Sequence, residues 1–230
     1  ERLNSLLRLI TVSAVLADMT SPSCCLPDRR RKLLLRDRPY RRLLHSEPRW
    51  ERIPKAVQEA ITRLVCGQAR WPLYLWGDTG VGKTWAAWWV VERVREYCAV
   101  TLERLADRVY ERDAWYWRRL ADRTLELAVI DEIGLRTETT DREYLALKRA
   151  ADLLEWRPTI WISNLAPEEL RAAYDDRIFS RLCCGVICQA TGPDQRFSGR
   201  AMPCSRANAG VAAEPAPGNE HIGAGGVVYR

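Results

Sequence analysis

Between about residue 50 and residue 190, short apolar runs alternate with longer stretches in which apolar residues recur every three or four positions. Residues 73–76, 127–130, 159–162 and 186–189 are the short runs, each bounded by polar or glycine-rich sequence, and they read as buried strands. The longer stretches read as helices. In residues 50–66, Ile53, Val57, Ala60, Ile61 and Leu64 share one helical face, and Pro54 suits a first turn. Helical patterns follow at 85–97, at 102–121 as one or two amphipathic helices, and at 141–156. In the last of these Tyr144, Leu147, Ala151 and Leu154 are spaced for one face and Pro158 supplies the stop. Two further helices are expected at 167–174 and 176–182. Strands alternating with helices predict an α/β fold with a parallel sheet flanked by helices. No internal repeat is present.

The flanks look different. Residues 1–48 combine an apolar start, a Ser-Pro-Ser turn and a basic block, and residues 198–230 are dominated by Ala, Gly, Pro and Asn. The first reads as a basic N-terminal segment that need not be a complete partner-binding region, the second as a disordered tail. The 49–197 stretch between them is the expected folded core. Residues 6–16 are apolar enough for a signal-peptide core, but Arg8 interrupts them. No run of 18 apolar residues exists, so no membrane association is expected.

The net charge is +6, yet residues 28–55 hold eleven basic and four acidic side chains, which leaves the remainder near neutral. Such a block fits contact with nucleic acid or an acidic partner, or equally a solvated arm, because charge alone names no partner. The eight cysteines include no paired CxxC motifs, which argues against a zinc site, and their scatter fits a reducing cytoplasm. Cys183, Cys184 and Cys188 read as small core side chains, and Trp85, Trp88 and Trp89 as core rather than a stacking platform for bases.

The chemistry lies at the C-terminal ends of the predicted strands. Gly77-Asp78-Thr79-Gly80-Val81-Gly82-Lys83-Thr84, followed by Trp85, is a complete GxxxxGK[ST] loop between a strand and a helix. Its glycines let successive N–H groups point at a phosphate chain, and the next helix adds its positive end. Lys83 would reach the β- and γ-phosphates of ATP, and the Thr84 hydroxyl would hold Mg²⁺. The apolar strand 127–130 delivers Asp131 and Glu132 side by side. Asp131 can order the metal and Glu132 can polarise an attacking water. Asn164, at the end of the next strand, is either a turn residue or a group that orients that water. Arg177 and Arg181 lie four apart, on one helical face. They fit either phosphate contact in a neighbouring subunit or pairing with surface acids.

Together these stretches resemble the AAA+ ATPases of the DnaC/DnaA/IstB group, above all the DnaC-type helicase loaders. The resemblance runs from about residue 50 to 196. It is carried by GDTGVGKT (77–84), LAVIDEIG (127–134), RPTIWISNLAPEEL (157–170), YDDRIFSRL (174–182) and TGPDQR (191–196). It implies Lys83 and Thr84 as Walker A, Asp131 and Glu132 as Walker B, and Asn164 as sensor 1. Arg181 would be the arginine finger, supported by Arg177, and Arg196 would match an arginine that closes the core. The implied function is ATP hydrolysis that loads a DnaB-type replicative helicase onto single-stranded DNA, with self-assembly through the ATP site and no C-terminal lid domain. An IstB-like transposition helper acting on duplex DNA with a transposase uses the same engine, and the core motifs do not separate the two. A nucleotide-gated binding module with little turnover is a third reading, against which the paired Asp131 and Glu132 argue.

Overall fold

The computed structural model describes residues 48–134 and 140–195. The tail 198–230, Arg196 and the expected lack of a lid fall outside them, as does the basic segment apart from its last residue. Among the described residues the five strands are β1 (Leu73–Trp76), β2 (Tyr97–Thr101), β3 (Leu127–Ile133), β4 (Thr159–Ser163) and β5 (Val186–Gln189). They form one parallel sheet in the order β2-β3-β4-β1-β5. The helices are α1 (Lys55–Val65), α2 (Lys83–Val91), α3 (Leu102–Tyr110), α4 (Ala114–Ala121), α5 (Asp141–Leu153), α6 (Pro167–Ala173) and α7 (Asp176–Leu182). This is the α/β P-loop class expected from the sequence.

Alternation along the strands makes two cores, because successive side chains leave a strand on opposite faces. Leu73, Leu75, Val129, Ile160 and Ile162 point to one face, where α1 and α2 cover them. Tyr74, Ala128, Ile130 and Trp161 point to the other, under α3 to α7. A parallel sheet covered on both faces needs strands without a polar side, and these runs have none.

The α2 helix is apolar nearly all round, as a helix buried on two sides must be. Ala86, Ala87, Trp88, Trp89, Val90 and Val91 are all buried. Trp50 stacks on Trp89 with ring centroids 4.2 Å apart, and the Arg93 guanidinium lies 3.5 Å from the centre of the same ring.

Two elements differ from expectation. The helix expected over 85–97 runs only over Lys83–Val91, and Tyr97, expected at its end, opens the edge strand β2. The charged run Glu92–Glu96 continues a helical pattern on paper, while β2 is short and pairs only with β3. Helix α1 begins at Lys55, after a 3₁₀ turn at Trp50–Arg52, with Pro54 as its N-cap residue. Among the cysteines read as core, Cys188 is buried and Cys183 partly so, but Cys184 is exposed, where its thiol reaches the Arg181 carbonyl at 3.2 Å.

Helices α5 and α7 run side by side in the same direction. A capping box starts α5, in which Thr140 and Glu143 exchange hydrogen bonds. Near its start Tyr144 donates to the Asp175 carboxylate at 2.6 Å, and Asp175 caps α7 through the Ile178 N–H.

Candidate nucleotide site

The β1 strand lies between β4 and β5, and the chain leaves it at Gly77 into the glycine loop. Gly77, Gly80 and Gly82 have φ of 138°, 89° and 98°, a region that a side chain disfavours. A Cβ on Gly77 would also collide with the Ala190 carbonyl, since the residue leaving β5 is bonded to the Trp76 carbonyl at 2.7 Å. Gly82 is the N-cap of α2 and has no side chain with which to cap it. A glycine loop with left-handed turns that leads straight into a helix start is the kind of backbone that can cradle an anion.

Lys83 is 7% exposed, and its ammonium sits at the centre of the site. It donates to the Gly77 carbonyl at 2.5 Å, the Asp78 carbonyl at 2.8 Å and Asn164 Oδ1 at 2.8 Å. The last bond joins residues 81 positions apart and draws the end of β4 onto the loop. Beside it Thr84 Oγ1 donates to Asp131 Oδ2 at 2.9 Å. Asp131 is 5% exposed, and its other oxygen accepts from the Glu132 N–H at 2.7 Å. Burial raises the Asp131 pKa, opposed by the bonds from Thr84 and Glu132 and by the Lys83 charge. A buried carboxylate held against a hydroxyl, next to an ammonium, is a donor set that fits a divalent cation bound to a triphosphate.

A folded-state pKa raised above the unfolded value favours the native state when the group is protonated. That contribution is complete below the unfolded pKa and is lost as pH rises through the folded one. At neutral pH, therefore, the ionised Asp131 costs stability. Asp131→Asn is expected to raise the melting temperature of the nucleotide-free protein at pH 7, by about 2–4 °C for each kcal/mol recovered. The gap from the parent should narrow as pH is lowered through the raised pKa. A lower melting temperature at neutral pH would contradict the cost assigned to this carboxylate.

Glu132 is presented by an irregularity in the sheet. Ile130 pairs with Trp161 and Ile133 with Ser163, so two residues of β3 stand where β4 has one. This bulge turns the chain through Glu132, which has φ 61°. Its carboxyl is half-buried, and its pKa is raised first by burial, then by the charges of Asp131 and Glu103. A carboxylate with raised basicity beside a phosphate cradle is suited to accept a proton from water.

Ser163 holds the bulge in place. Its buried hydroxyl donates to the Ile133 carbonyl at 2.8 Å and accepts from the Leu165 N–H at 2.9 Å, a bond that spans Asn164. Sequence reasoning passed over this residue, since a serine at a strand end carries no distinguishing signal. Ser163→Ala leaves a buried carbonyl and a partly buried N–H short of a partner. It is expected to cost about 1–3 kcal/mol in denaturant unfolding, and to lower nucleotide turnover with it. An unchanged unfolding midpoint would show that the bulge stands without it.

A second missed feature crosses the loop from outside. The Gln195 N–H donates to the Gly80 carbonyl at 3.0 Å, and its side chain donates to the Arg52 carbonyl at 2.7 Å and the Val81 carbonyl at 3.4 Å. Asp194 packs so closely on Gly80 that a Cβ there would collide with its carboxylate. The segment after β5 thus ties the loop to the turn before α1.

Lys83, Thr84, Asp131, Glu132 and Asn164 converge on one place at the C-terminal edge of the sheet. Arg177 and Arg181 do not join them. Helix α7 leads into the start of β5, so its last turn lies at the opposite edge. There Arg181 pairs with Asp152 of α5 at 3.2 Å, and Arg177 approaches the same carboxylate at 3.7 Å.

No family model and no curated protein matches this chain. Solved structures resemble parts of it. A DnaA from Aquifex aeolicus bound to AMPPCP is 20% identical, with a TM-score of 0.48 over 61% of this chain and 46% of that one. DnaI is 19% identical with a TM-score of 0.48, covering 74% of this chain and 94% of that one. The DnaC helicase loader is 16% identical with a TM-score of 0.46, covering 52% and 77%. The chain spans less than half the length of the Aquifex DnaA structure.

Proposed function

We propose that the chain is a Mg²⁺-dependent AAA+ ATPase that loads a DnaB-type replicative helicase onto single-stranded DNA, in the cytoplasm. The observation that carries the ATPase half is two adjacent hydrogen bonds, from the Lys83 ammonium to the Asn164 amide oxygen and from the Thr84 hydroxyl to Asp131, with Glu132 next to Asp131. The helicase half is supported by the motif set of the sequence, in particular the stretches at 157–170 and 174–182. Residues 49–197 are taken as the ATPase core, and the basic segment before it as the region that meets a partner.

In this reading the backbone of residues 77–85 binds the phosphates, with Lys83 on the terminal one. Lys83 must exchange carbonyl oxygens for phosphate oxygens, a trade between acceptors of which the charged ones bond more strongly. Thr84 and Asp131 hold the metal, which when bound neutralises charge on the phosphates. Glu132 takes the proton of the attacking water, and Asn164 orients that water and senses the terminal phosphate. Neither Arg177 nor Arg181 faces this site in their own subunit, so the finger role requires a second copy bound with its α7 edge against the nucleotide.

The test is the ATPase rate of the purified chain alone, with single-stranded DNA and with duplex DNA, in Mg²⁺ at one salt concentration. Stimulation by single strands supports loading. Stimulation by duplex alone overturns it in favour of transposition. ATP binding without turnover under any of these conditions would leave a nucleotide-gated binder.

A further inference from the structure

Asp152 occupies a position that helix chemistry does not recommend. It is the penultimate residue of α5, where the negative end of the helix dipole opposes an acid, and aspartate is a poor helix former. What compensates it lies on α7: Arg181 Nη2 at 3.2 Å and Arg177 Nη2 at 3.7 Å from the same oxygen, Asp152 Oδ1. The Arg181 side chain is 22% exposed and that of Asp152 41%, so the pair sits at the rim, within reach of an approaching surface.

The pairing leaves Arg181 poorly served. Among the described residues its Nη1 reaches only the Arg177 carbonyl, at 3.4 Å, and its buried Nε has no hydrogen-bond partner. A guanidinium carries five N–H donors in a fork that matches two oxygens at once. One carboxylate oxygen and one long carbonyl bond use little of that capacity, and a phosphate would use more.

We infer that Asp152 is a latch on the arginine finger: it holds Arg181 against α5 of its own subunit until a neighbour's nucleotide draws it away. This rests on the trans role of Arg181 proposed above. Asp152 is then a positioning residue that opposes assembly. An isolated subunit keeps its finger engaged on itself, and the neighbour's phosphate competes for it.

The experiment is sedimentation of the full chain with Mg²⁺ and a non-hydrolysable ATP analogue, over a range of protein concentrations. Asp152→Asn removes the charge at a tolerant helix end. It is expected to lower the concentration for half-assembly by roughly 2- to 5-fold, the range set by a partly exposed ion pair. Asp152→Glu, which keeps the charge, should restore most of the parental value. In an Arg181→Ala background Asp152→Asn should change nothing. An unchanged or raised midpoint for Asp152→Asn, or a shift that persists without Arg181, overturns the latch. If Arg181→Ala alone leaves both nucleotide-dependent assembly and turnover unaltered, or the parent never assembles, the trans reading itself fails and the latch with it.

Discussion

Replacing Lys83 by alanine is expected to abolish ATP binding, with Kd raised by about 100-fold or more if two charge-assisted phosphate contacts are lost. The ammonium has three N–H groups, and three oxygens receive them: the carbonyls of Gly77 and Asp78 and the amide of Asn164. It therefore does two things. It closes the glycine loop on itself, and it fastens the end of β4 to that loop. Alanine removes both ties and the charge that a triphosphate needs, in a place too enclosed for water to replace it fully. Titration calorimetry with Mg²⁺·ATP measures the loss, and a thermal melt of the same sample shows whether the fold persists. Unchanged affinity in a folded protein would remove the nucleotide site from this loop.

The second large effect is expected at Arg181. Alanine there should leave ATP affinity near the parental value and lower turnover by about 10³-fold or more, the scale of an arginine finger. The separation of the two effects follows from topology. Binding groups lie where β1, β3 and β4 end, and Arg181 lies where β5 is about to begin, so its loss leaves the phosphate loop at the other edge of the sheet untouched. Mixing Arg181→Ala with Glu132→Gln supplies the decisive comparison. Each variant is inactive alone, yet roughly a quarter of interfaces in a random assembly would join an intact Glu132 to an intact Arg181. Activity that returns on mixing supports a finger acting between subunits. No recovery would leave Arg181 with a role inside its own chain.

Much of this architecture was legible because its signals are local. A strand, a glycine loop and a helix follow one another without a gap from Leu73 to Val91, and each has its own residue chemistry. The paired carboxylates were legible for the same reason, as two acids ending an apolar run. What escaped depends on pairing between distant segments. The bulge at Glu132 exists only because β3 and β4 fall out of step between Ile130 and Ile133, and no feature of β3 alone announces it. Ser163 and Gln195 act through backbone carbonyls at Ile133 and Arg52, which any residue could have supplied. The β2 strand hid behind a charged run that continues a helical rhythm, and the partnership of Arg181 with Asp152 required knowing that α5 and α7 lie abreast. Arginines on a helix face could be seen; which acid faces them could not.

The backbone of Glu132 has a bearing on how such a chain could change over generations. At φ 61° a glycine or asparagine would sit more comfortably than glutamate, so the native residue stands there against the local preference of the chain. A lineage that came to need only the bound nucleotide, and no turnover, would gain stability by letting this residue drift to glycine while the loop from Gly77 to Thr84 stayed intact. Among diverging copies, glycine at this bulge beside a complete phosphate loop would mark the ones that had retired from hydrolysis.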